Sequence, residues 1–297
     1  MELRNPAAGL TAFVAMHSTA LGPALGGARM FSYSNREAAV LDVCRLARGM
    51  SYKNALAGIP FGGGKAVIVG DPANKTDALL AAFADGLNAL NGGYLSAEDS
   101  GISPADMALM ARTSAYVAGA DGASGGGNPA PFTAKGVFLG LKAAVATRLG
   151  THMLDGVTVG VEGLGQVGFA LAKMLRSEGA RVLASEINAE RLQKAVVELG
   201  VEAASGDTLP AAALDVFAPC AMGGAINMRR INDLRAPVIA GAANNQLENA
   251  ALGDLLARRG QLYAPDYVIN AAGVISIAGE YLGCWSPEWV DAKVEQI

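Results

Sequence analysis

"DGVTVGVEGLGQVGFALAKMLRSEGARVLASEIN", residues 155–188, reads as strand, glycine turn, helix and strand in that order. Gly163, Gly165 and Gly168 fit G-x-G-x-x-G directly after a strand expected over residues 157–161, and an acid, Glu186, ends the next strand 18 residues past Gly168. Glycines in this pattern allow a tight turn and a close approach of a pyrophosphate, and the helix that follows offers its positive end to the phosphate charge. Gly163, Gly165, Gln166, Val167, Gly168 and Glu186 are therefore the expected cofactor-binding residues. A glycine-rich turn that holds nothing is the competing reading, and the strand, helix and acid around the motif argue against it. The carboxylate of Glu186 repels a 2′-phosphate, which favours NAD over NADP; the neighbouring Ser185 weakens that preference.

Working outward, the second half of the chain continues as a doubly wound sheet. Strands are expected at "LDVFAPCA", "APVIAGAANNQ" and "YAPDYVINAAGVI". Ligands on such sheets gather at the carboxyl ends of the strands, which places Cys220, Ala221, Asn244, Asn245 and Asn270 along the same cofactor site. A helix over residues 133–148 leads into this domain.

The first half has a different character, with mixed α/β patterning. "TAFVAMHS" reads as a strand, and "SNREAAVLDVCRLARGMSYKN" reads as a helix capped by Ser34 with Glu37 three residues on. Its apolar stripe is Ala39, Val43, Leu46, Ala47 and Met50, and Lys53 shares the face of Met50 if the helix continues. "KAVIVG" reads as a buried strand opening at Lys65, after three consecutive glycines. "ISPADMALMAR" starts a helix with Ser103 as cap and Pro104 in its first turn, and Asp99 lies just upstream.

Composition excludes several classes of function. At 297 residues the chain can build two domains, and with 52% hydrophobic and 17% charged residues it is globular. A net charge of −4 with no basic block argues against nucleic acid as a partner. Every apolar run is interrupted before it could span a bilayer, and the N-terminus lacks the pattern of a signal peptide. Cys44, Cys220 and Cys284 are far apart, which suits a reducing cytoplasm and offers no thiolate metal site. With His17 and His152 as the only histidines, a histidine-centred site or a metal triad has almost nothing to build from, and no metal is expected.

"SYKNALAGIPFGGGKAVIVGDP", residues 51–72, could be taken for a second phosphate loop. A P-loop needs glycine five residues before Gly64 and a hydroxyl after the lysine; Ile59 and Ala66 stand there instead. The remaining chemistry is lysine and carboxylate: Lys53, Lys65 and Asp99. Most lysines are solvated surface charges, but Lys65 lies between three glycines and the apolar run "AVIV", a poor setting for one. A buried lysine near a second cation has its pKa pushed down, which suits proton transfer.

"LGPALGGARM", "MSYKNALAGIPFGGGKAVIVGDP", "SAEDSGIS", "GNPAPFTAKGVF", "GLGQVG", "FAPCAMGG", "IAGAANNQL" and "YAPDYVINAAGVI" together resemble the Glu/Leu/Phe/Val dehydrogenase family, and most closely its leucine, valine, phenylalanine and tryptophan dehydrogenase branch. The resemblance runs in order from about Gly9 to the end of the chain. It implies NAD-dependent, reversible oxidative deamination of an L-amino acid to its 2-oxo acid and ammonia. It implies an α/β substrate and catalytic domain over residues 1–132, a Rossmann domain over 133–275, and a helical segment over 276–297 that returns toward the substrate domain. Lys53, with the Gly26 and Gly27 amides and Met50 nearby, would hold the substrate carboxylate. Lys65 would be the low-pKa lysine that activates water on the imine, and Asp99 would exchange protons with the amino group. The glycines around Lys65 would keep Cβ atoms out of its way. Thr133, Asn244 and Asn245 would position nicotinamide and substrate.

Side-chain choice follows from the same resemblance. The glutamate branch carries a lysine where Leu25 stands here, and an apolar leucine cannot pair a substrate carboxylate. Leu25, Ala97, Val274 and Ile277 match the pocket positions of the apolar branch, and the β-branched Val274 favours Leu, Val or Ile over Phe or Trp. The departures are Glu186 for the usual Asp, Ala272 for the first glycine of a pair, and Ser100 for an apolar residue. The chain is also expected to be short at both ends, where subunit contacts of a homo-oligomer would form. Two alternatives share the pattern: the same chemistry on an aromatic amino acid, and a catalytically silent NAD-binding protein.

Overall fold

The computed structural model describes residues 1–119 and 128–296; Gly127, which opens the GNPAPFTAKGVF segment, and Ile297 lie outside them. In chain order the first elements are β1 (Glu2–Asn5), β2 (Leu10–Ser18), β3 (Ala24–Phe31), α1 (Arg36–Leu56), β4 (Gly62–Val69), α2 (Asp77–Asn88), β5 (Tyr94–Ala97) and α3 (Pro104–Ala111). They are followed by α4 (Ala130–Leu149), β6 (Thr158–Glu162), α5 (Gln166–Ser177), β7 (Arg181–Ser185), α6 (Ala189–Leu199), β8 (Glu202–Ala203), β9 (Val216–Pro219), β10 (Val238–Ile239), α7 (Ala251–Arg258) and β11 (Leu262–Tyr263). Helices α8 (Asp266–Ile269), α9 (Ala272–Leu282) and α10 (Pro287–Val294) complete the order. The chain forms two compact units, one of Met1–Pro129 with Val274–Lys293, the other of Ala130–Gly273 with Val294–Ile297.

The first unit is built on a five-stranded sheet of order β1-β2-β4-β3-β5. Strands β3, β4 and β5 run parallel to one another, while β2 pairs antiparallel with β4. Alternation along β4 divides the sheet's two faces. Val67 packs with Phe13, Ala39, Val43 and Leu46 under α1, and Ala66 and Ile68 pack with Phe83, Leu87 and Met107 on the opposite side. Lys65 has the parity of Val67, so it lies on the face that α1 covers.

Helix α1 begins one residue later than the expected Ser34 cap. Asn35 is the cap, its side chain accepting the Ala38 amide at 2.8 Å; asparagine caps as well as serine, and the sequence places the two side by side. The helix does continue through Lys53, which sits in its last turn. Ser103 caps α3 as expected, in a capping box with Asp106. Strand β4 also opens three residues before the expected Lys65, so Gly62, Gly63 and Gly64 lie inside it. Residues 263–275 also differ: the expected strand stops at Tyr263, and most of the segment is helical, in α8 and the start of α9. Pro265 caps α8 and cannot donate to a ladder, so it ends the strand there.

The second unit carries a six-stranded, wholly parallel sheet of order β11-β10-β9-β6-β7-β8. Two βαβ halves diverge from β6 and β9, the arrangement of a Rossmann fold, and the order reverses beside the carboxyl end of β6. Its core joins Val159 and Val161 of β6 to Leu171 and Leu175 of α5 and Val137 and Leu141 of α4. Gly136 of α4 leaves room for Ala272, whose Cβ lies 3.3 Å from where a Gly136 Cβ would stand. The alanine found in place of a glycine is thus accommodated by a glycine across from it.

Candidate active site

In the first unit, Lys65 and Asp99 meet. The Lys65 Nζ lies 2.6 Å from Asp99 Oδ2, with side chains 9% and 13% exposed, so Lys65 is no surface charge. Strand β4 delivers the lysine, and Asp99 follows the end of β5. The turn after β5 is pinned by hydrogen bonds from the Ile102 amide to the Asp99 carbonyl and from the Met30 amide to the Ser100 carbonyl, both 2.9 Å. Lys75, paired with Asp106, also donates to the Gly101 carbonyl at 2.9 Å. The direct partner of Lys65 is this carboxylate, and the second cation, Arg29, stands beyond it, with Nε 3.2 Å from the same Oδ2. Burial pushes the Asp99 carboxyl up, but Lys65 and then Arg29 outweigh it and hold the group at about 2. Asp99 is ionised throughout the working range of pH.

Gly26 and Gly27 lie beside the pair. Strand β3 aligns them with Ser96 and Ala97 of β5. A Cβ on Gly27 would come within 2.9 Å of the Asp99 Cβ, and one on Gly26 would stand 3.1 Å from Met50 Cγ and overlap the Gly64 carbonyl. Met50, Gly26, Gly27, Ala97, Lys65 and Asp99 therefore share one neighbourhood, and Lys53 lies half-buried on α1 one turn past Met50. Tyr94 carries a signal the sequence did not show. From beneath the sheet its hydroxyl donates to the Gly26 carbonyl at 2.7 Å and the Gly27 carbonyl at 3.2 Å, fixing the glycine pair. Of the four expected pocket residues, Leu25 and Ala97 are buried on adjacent strands. Ile277 reaches to 3.1 Å from where a Gly119 Cβ would be, and Gly119 borders Glu98. Val274 is half-buried at the point where the chain re-enters this unit.

The glycines around Lys65 serve a different purpose from the one expected. Cβ atoms on Gly62 and Gly63 would overlap the Ser18 carbonyl and the Ser51 backbone, and one on Gly64 would stand 2.7 Å from the Tyr94 ring. They let β2, α1 and Tyr94 close onto β4; the protein itself fills the space.

In the second unit Gly163, Gly165 and Glu186 of the fingerprint line a cleft of about 570 Å³ at the carboxyl end of β6. Gly163 has φ +95° and abuts Ala221, at 2.8 Å from a hypothetical Cβ; one on Gly168 would overlap the Gly163 carbonyl. Gly165, by contrast, has nothing within 4 Å of that position. It caps α5 without a side chain, and Gln166 and Val167 open the helix, so amides at a positive helix end face open space. Glu186 is held at the rim: Oε2 accepts the Leu164 amide at 2.8 Å and Oε1 the Asn188 amide at 3.0 Å. Burial raises its pKa, but the Asn188 and Leu164 amides lower it further, so it stays ionised. Ser185 is 4% exposed. These features fit a dinucleotide: a bare glycine where a pyrophosphate approaches, a helix end for its charge, and an anion for a ribose.

Cys220 and Ala221 line the same cleft. Burial pushes the Cys220 thiol up to about 12, so its role is packing and not thiolate chemistry. Arg230 and Glu162, which sequence reading passed over, form an ion pair in the cleft wall, and Arg230 also donates to the Gly206 carbonyl at 3.2 Å. Nearby, Asn245 adopts φ +52° and its amide donates to Asp266 Oδ2 at 2.9 Å. Asn270 donates to Asn244 Oδ1 at 2.9 Å and to the Ala242 carbonyl at 3.0 Å, while its own buried Oδ1 lacks a partner among the described residues. A buried acceptor left open in this way suits a ligand donor. Thr133 sits half-buried in the first turn of α4.

The chain can now be set beside known proteins. Residues 3–116 match the family described as Glu/Leu/Phe/Val dehydrogenase, dimerisation domain, and residues 184–297 match Glutamate/Leucine/Phenylalanine/Valine dehydrogenase. Leucine dehydrogenase of Bacillus subtilis (strain 168) is 47% identical over 291 residues, covering 97% of this chain and 80% of that protein. L-tryptophan dehydrogenase of Nostoc punctiforme is 44% identical over 281 residues, covering 94% and 78%. The crystal structure of the Nostoc punctiforme L-tryptophan dehydrogenase superposes with a TM-score of 0.82 at 41% identity, over 100% of this chain and 85% of that one. A hetero-hexameric glutamate dehydrogenase from Thermus thermophilus gives a TM-score of 0.79 at 26% identity, covering 96% and 76%. The chain belongs to the Glu/Leu/Phe/Val dehydrogenase family and is an amino-acid dehydrogenase, an oxidoreductase with a Rossmann-type domain.

Proposed function

We propose that this protein catalyses the NAD-dependent, reversible oxidative deamination of an apolar L-amino acid, a branched aliphatic one by preference, to its 2-oxo acid and ammonia. The observation that carries the reading is the buried Lys65–Asp99 pair beside the Gly26–Gly27 backbone. Residues 1–132 form the substrate domain, 133–275 the cofactor domain, and 276–297 the returning helical segment. Lys53 and the Gly26 and Gly27 amides bind the substrate carboxylate. Asp99, ionised, takes a proton from the substrate ammonium and leaves a neutral amine. When bound, the nicotinamide dinucleotide supplies the acceptor for the hydride of the substrate Cα. Lys65 then polarises the imine and orients the water that attacks its carbon; Asp99 returns its proton to the nitrogen, which leaves as ammonia, and the two protons of the attacking water pass to solvent as the C=O bond forms.

Leu25, fully buried and apolar, gives a substrate carboxylate no partner, which supports an apolar side chain over glutamate. The relatives named as leucine and tryptophan dehydrogenases are consistent with that class. Ionised Glu186 disfavours a 2′-phosphate, which supports NAD over NADP. Among the described residues no helix is long and apolar enough to cross a membrane. We further propose a homo-oligomer, supported by the dimerisation domain matched over residues 3–116, and a cytoplasmic location, supported by free thiols at Cys44, Cys220 and Cys284.

A panel of L-amino acids followed at the NADH absorbance tests the reading, with Lys65→Ala beside the unaltered protein. Leucine, valine or isoleucine is expected to give the highest kcat/KM, and K65A to lose about 10²–10⁴-fold in kcat. Near-normal turnover by K65A would overturn the mechanism, and preference for tryptophan or phenylalanine would move the substrate to the aromatic class.

A further inference from the structure

The structure assigns a positioning role to Arg29: it is the fixed cation that holds the Asp99 carboxylate in place, itself anchored by Asp42 and Tyr33. Arg29 stands on β3, on the same sheet face as Gly27 by strand alternation. Its Nε donates to Asp99 Oδ2 at 3.2 Å, and its Nη1 lies 3.4 Å from Asp42 Oδ2 on α1. The Tyr33 hydroxyl donates to that same Asp42 oxygen at 2.6 Å. Tyr33, Asp42, Arg29, Asp99 and Lys65 thus form one chain across β3 and its following loop, α1, the turn after β5, and β4. The Arg29 and Asp99 side chains are 20% and 13% exposed, and Asp42 is 29% exposed.

The physical argument starts from Lys65. Both cations bind the same oxygen of Asp99, so each could hold the carboxylate alone. Lys65 is an ammonium on a flexible four-carbon stem, and in the reaction proposed above it also has to serve the imine and the attacking water. A guanidinium stays charged under all conditions that proteins meet, and its planar fork loses little freedom once held. If Lys65 were the sole partner, each excursion of its ammonium would leave a nearly buried carboxylate uncompensated, at a cost that favours protonation or reorientation of Asp99. Arg29 prevents this because it takes no part in the chemistry. Asp42 balances the guanidinium so that the row of charges alternates, and burial together with Asp42 pushes the Tyr33 hydroxyl well up, which keeps it a hydrogen-bond donor to Asp42. Among the described residues Tyr94 also faces Asp99; it is fully buried and directs its hydroxyl to Gly26.

The inference rests on the proposed proton exchange at Asp99, and the test separates the two. Asp99→Asn comes first: turnover close to that of the unaltered protein would overturn the role of Asp99 itself. With D99N inactive, Arg29→Met is expected to lower kcat about tenfold or more while the amino-acid KM moves less than about threefold, since Arg29 orients a catalytic group. Arg29→Lys, which restores a cation, should recover most of that loss. Asp42→Asn should lower kcat by a smaller factor, about threefold, and should add nothing in the R29M background, because residues acting through one another are non-additive. D99N inactive with R29M at unaltered kcat, or R29K no better than R29M, would overturn the inference. If R29M does not fold, D42N and Tyr33→Phe keep the guanidinium and decide it: reduced kcat with an unchanged melting temperature supports the relay, and unchanged kcat in both refutes it.

Discussion

Two runs of glycine in this protein look alike in sequence and do opposite things. Gly62, Gly63 and Gly64 precede Lys65; Gly163, Gly165 and Gly168 turn β6 into α5. Around the first run the missing side chains are replaced by the protein: the Ser18 carbonyl, the Ser51 backbone and the Tyr94 ring occupy the positions that Cβ atoms would take. In the second run two glycines are packed in the same manner, but the space beside Gly165 is open. A glycine pressed against its own chain marks where elements must close, and a glycine facing open space at a helix N-terminus marks where something else approaches.

The sharpest way to break this comparison is Gly63→Ala. The new Cβ would meet backbone, which cannot swing aside, so the variant is expected to lose at least about 3 kcal/mol or to fail to fold. Urea melts followed by circular dichroism check it. A G63A variant as stable as the parent would show that the glycines of β4 are not needed for packing.

The next effect concerns the acid pair that this packing encloses. The folded-state pKa of Asp99, about 2, lies below its ordinary value of 3.8. A depressed carboxylate contributes stability that is present above about pH 4 and is lost as pH falls toward 2. The contribution is on the order of 2 kcal/mol, at 1.36 kcal/mol per pKa unit. Denaturant melts between pH 2 and 5 should therefore show a slope that D99N flattens, and an equal slope in both proteins would mean that Lys65 and Arg29 do not hold the ionised form.

Gly165→Ala should have the smallest effect on folding and a distinct one on binding. The φ of −65° suits any residue and no atom stands in the way, so stability should change by about 1 kcal/mol or less, the ordinary cost of alanine at a helix cap. The added methyl enters the space expected for the pyrophosphate, and NADH binding, followed by fluorescence titration, should weaken about tenfold, or 1.4 kcal/mol. Unchanged affinity in G165A would remove the distinction between the two glycine runs.

Local pattern explains what could be read without coordinates. The Rossmann turn, its acid and the Ser103 cap with Pro104 after it are signals contained within a few residues, and the structure has each of those elements where the spacing implies. Helix α8 and the first turn of α9 were not legible, because Ile269, Ala271, Ala272 and Ile275 are all buried and give the segment no clear helical period. Asp99 and Lys65 could be singled out as candidates by residue type and by resemblance. The anchor of Arg29, Asp42 and Tyr33 could not, because β4 inserts between β2 and β3 and the turn after β5 folds against β3, bringing residues 29, 42, 65 and 99 together from four separate segments. The role of the β4 glycines was misjudged for the same reason: the atoms they make room for belong to residues 18, 51 and 94.

Helix α9 rejoins the first unit through two hydrogen bonds: the Gly119 amide donates to Glu280 Oε2 at 2.8 Å, and the Tyr281 hydroxyl donates to the Ser96 carbonyl at 2.8 Å. These contacts span 161 and 185 residues of chain. On the ribosome, the whole of the second sheet emerges before residues 274–293 are delivered. The unit that holds Lys65 and Asp99, although its synthesis begins first, gains its Glu280 and Tyr281 contacts only after the whole of the second sheet has been translated.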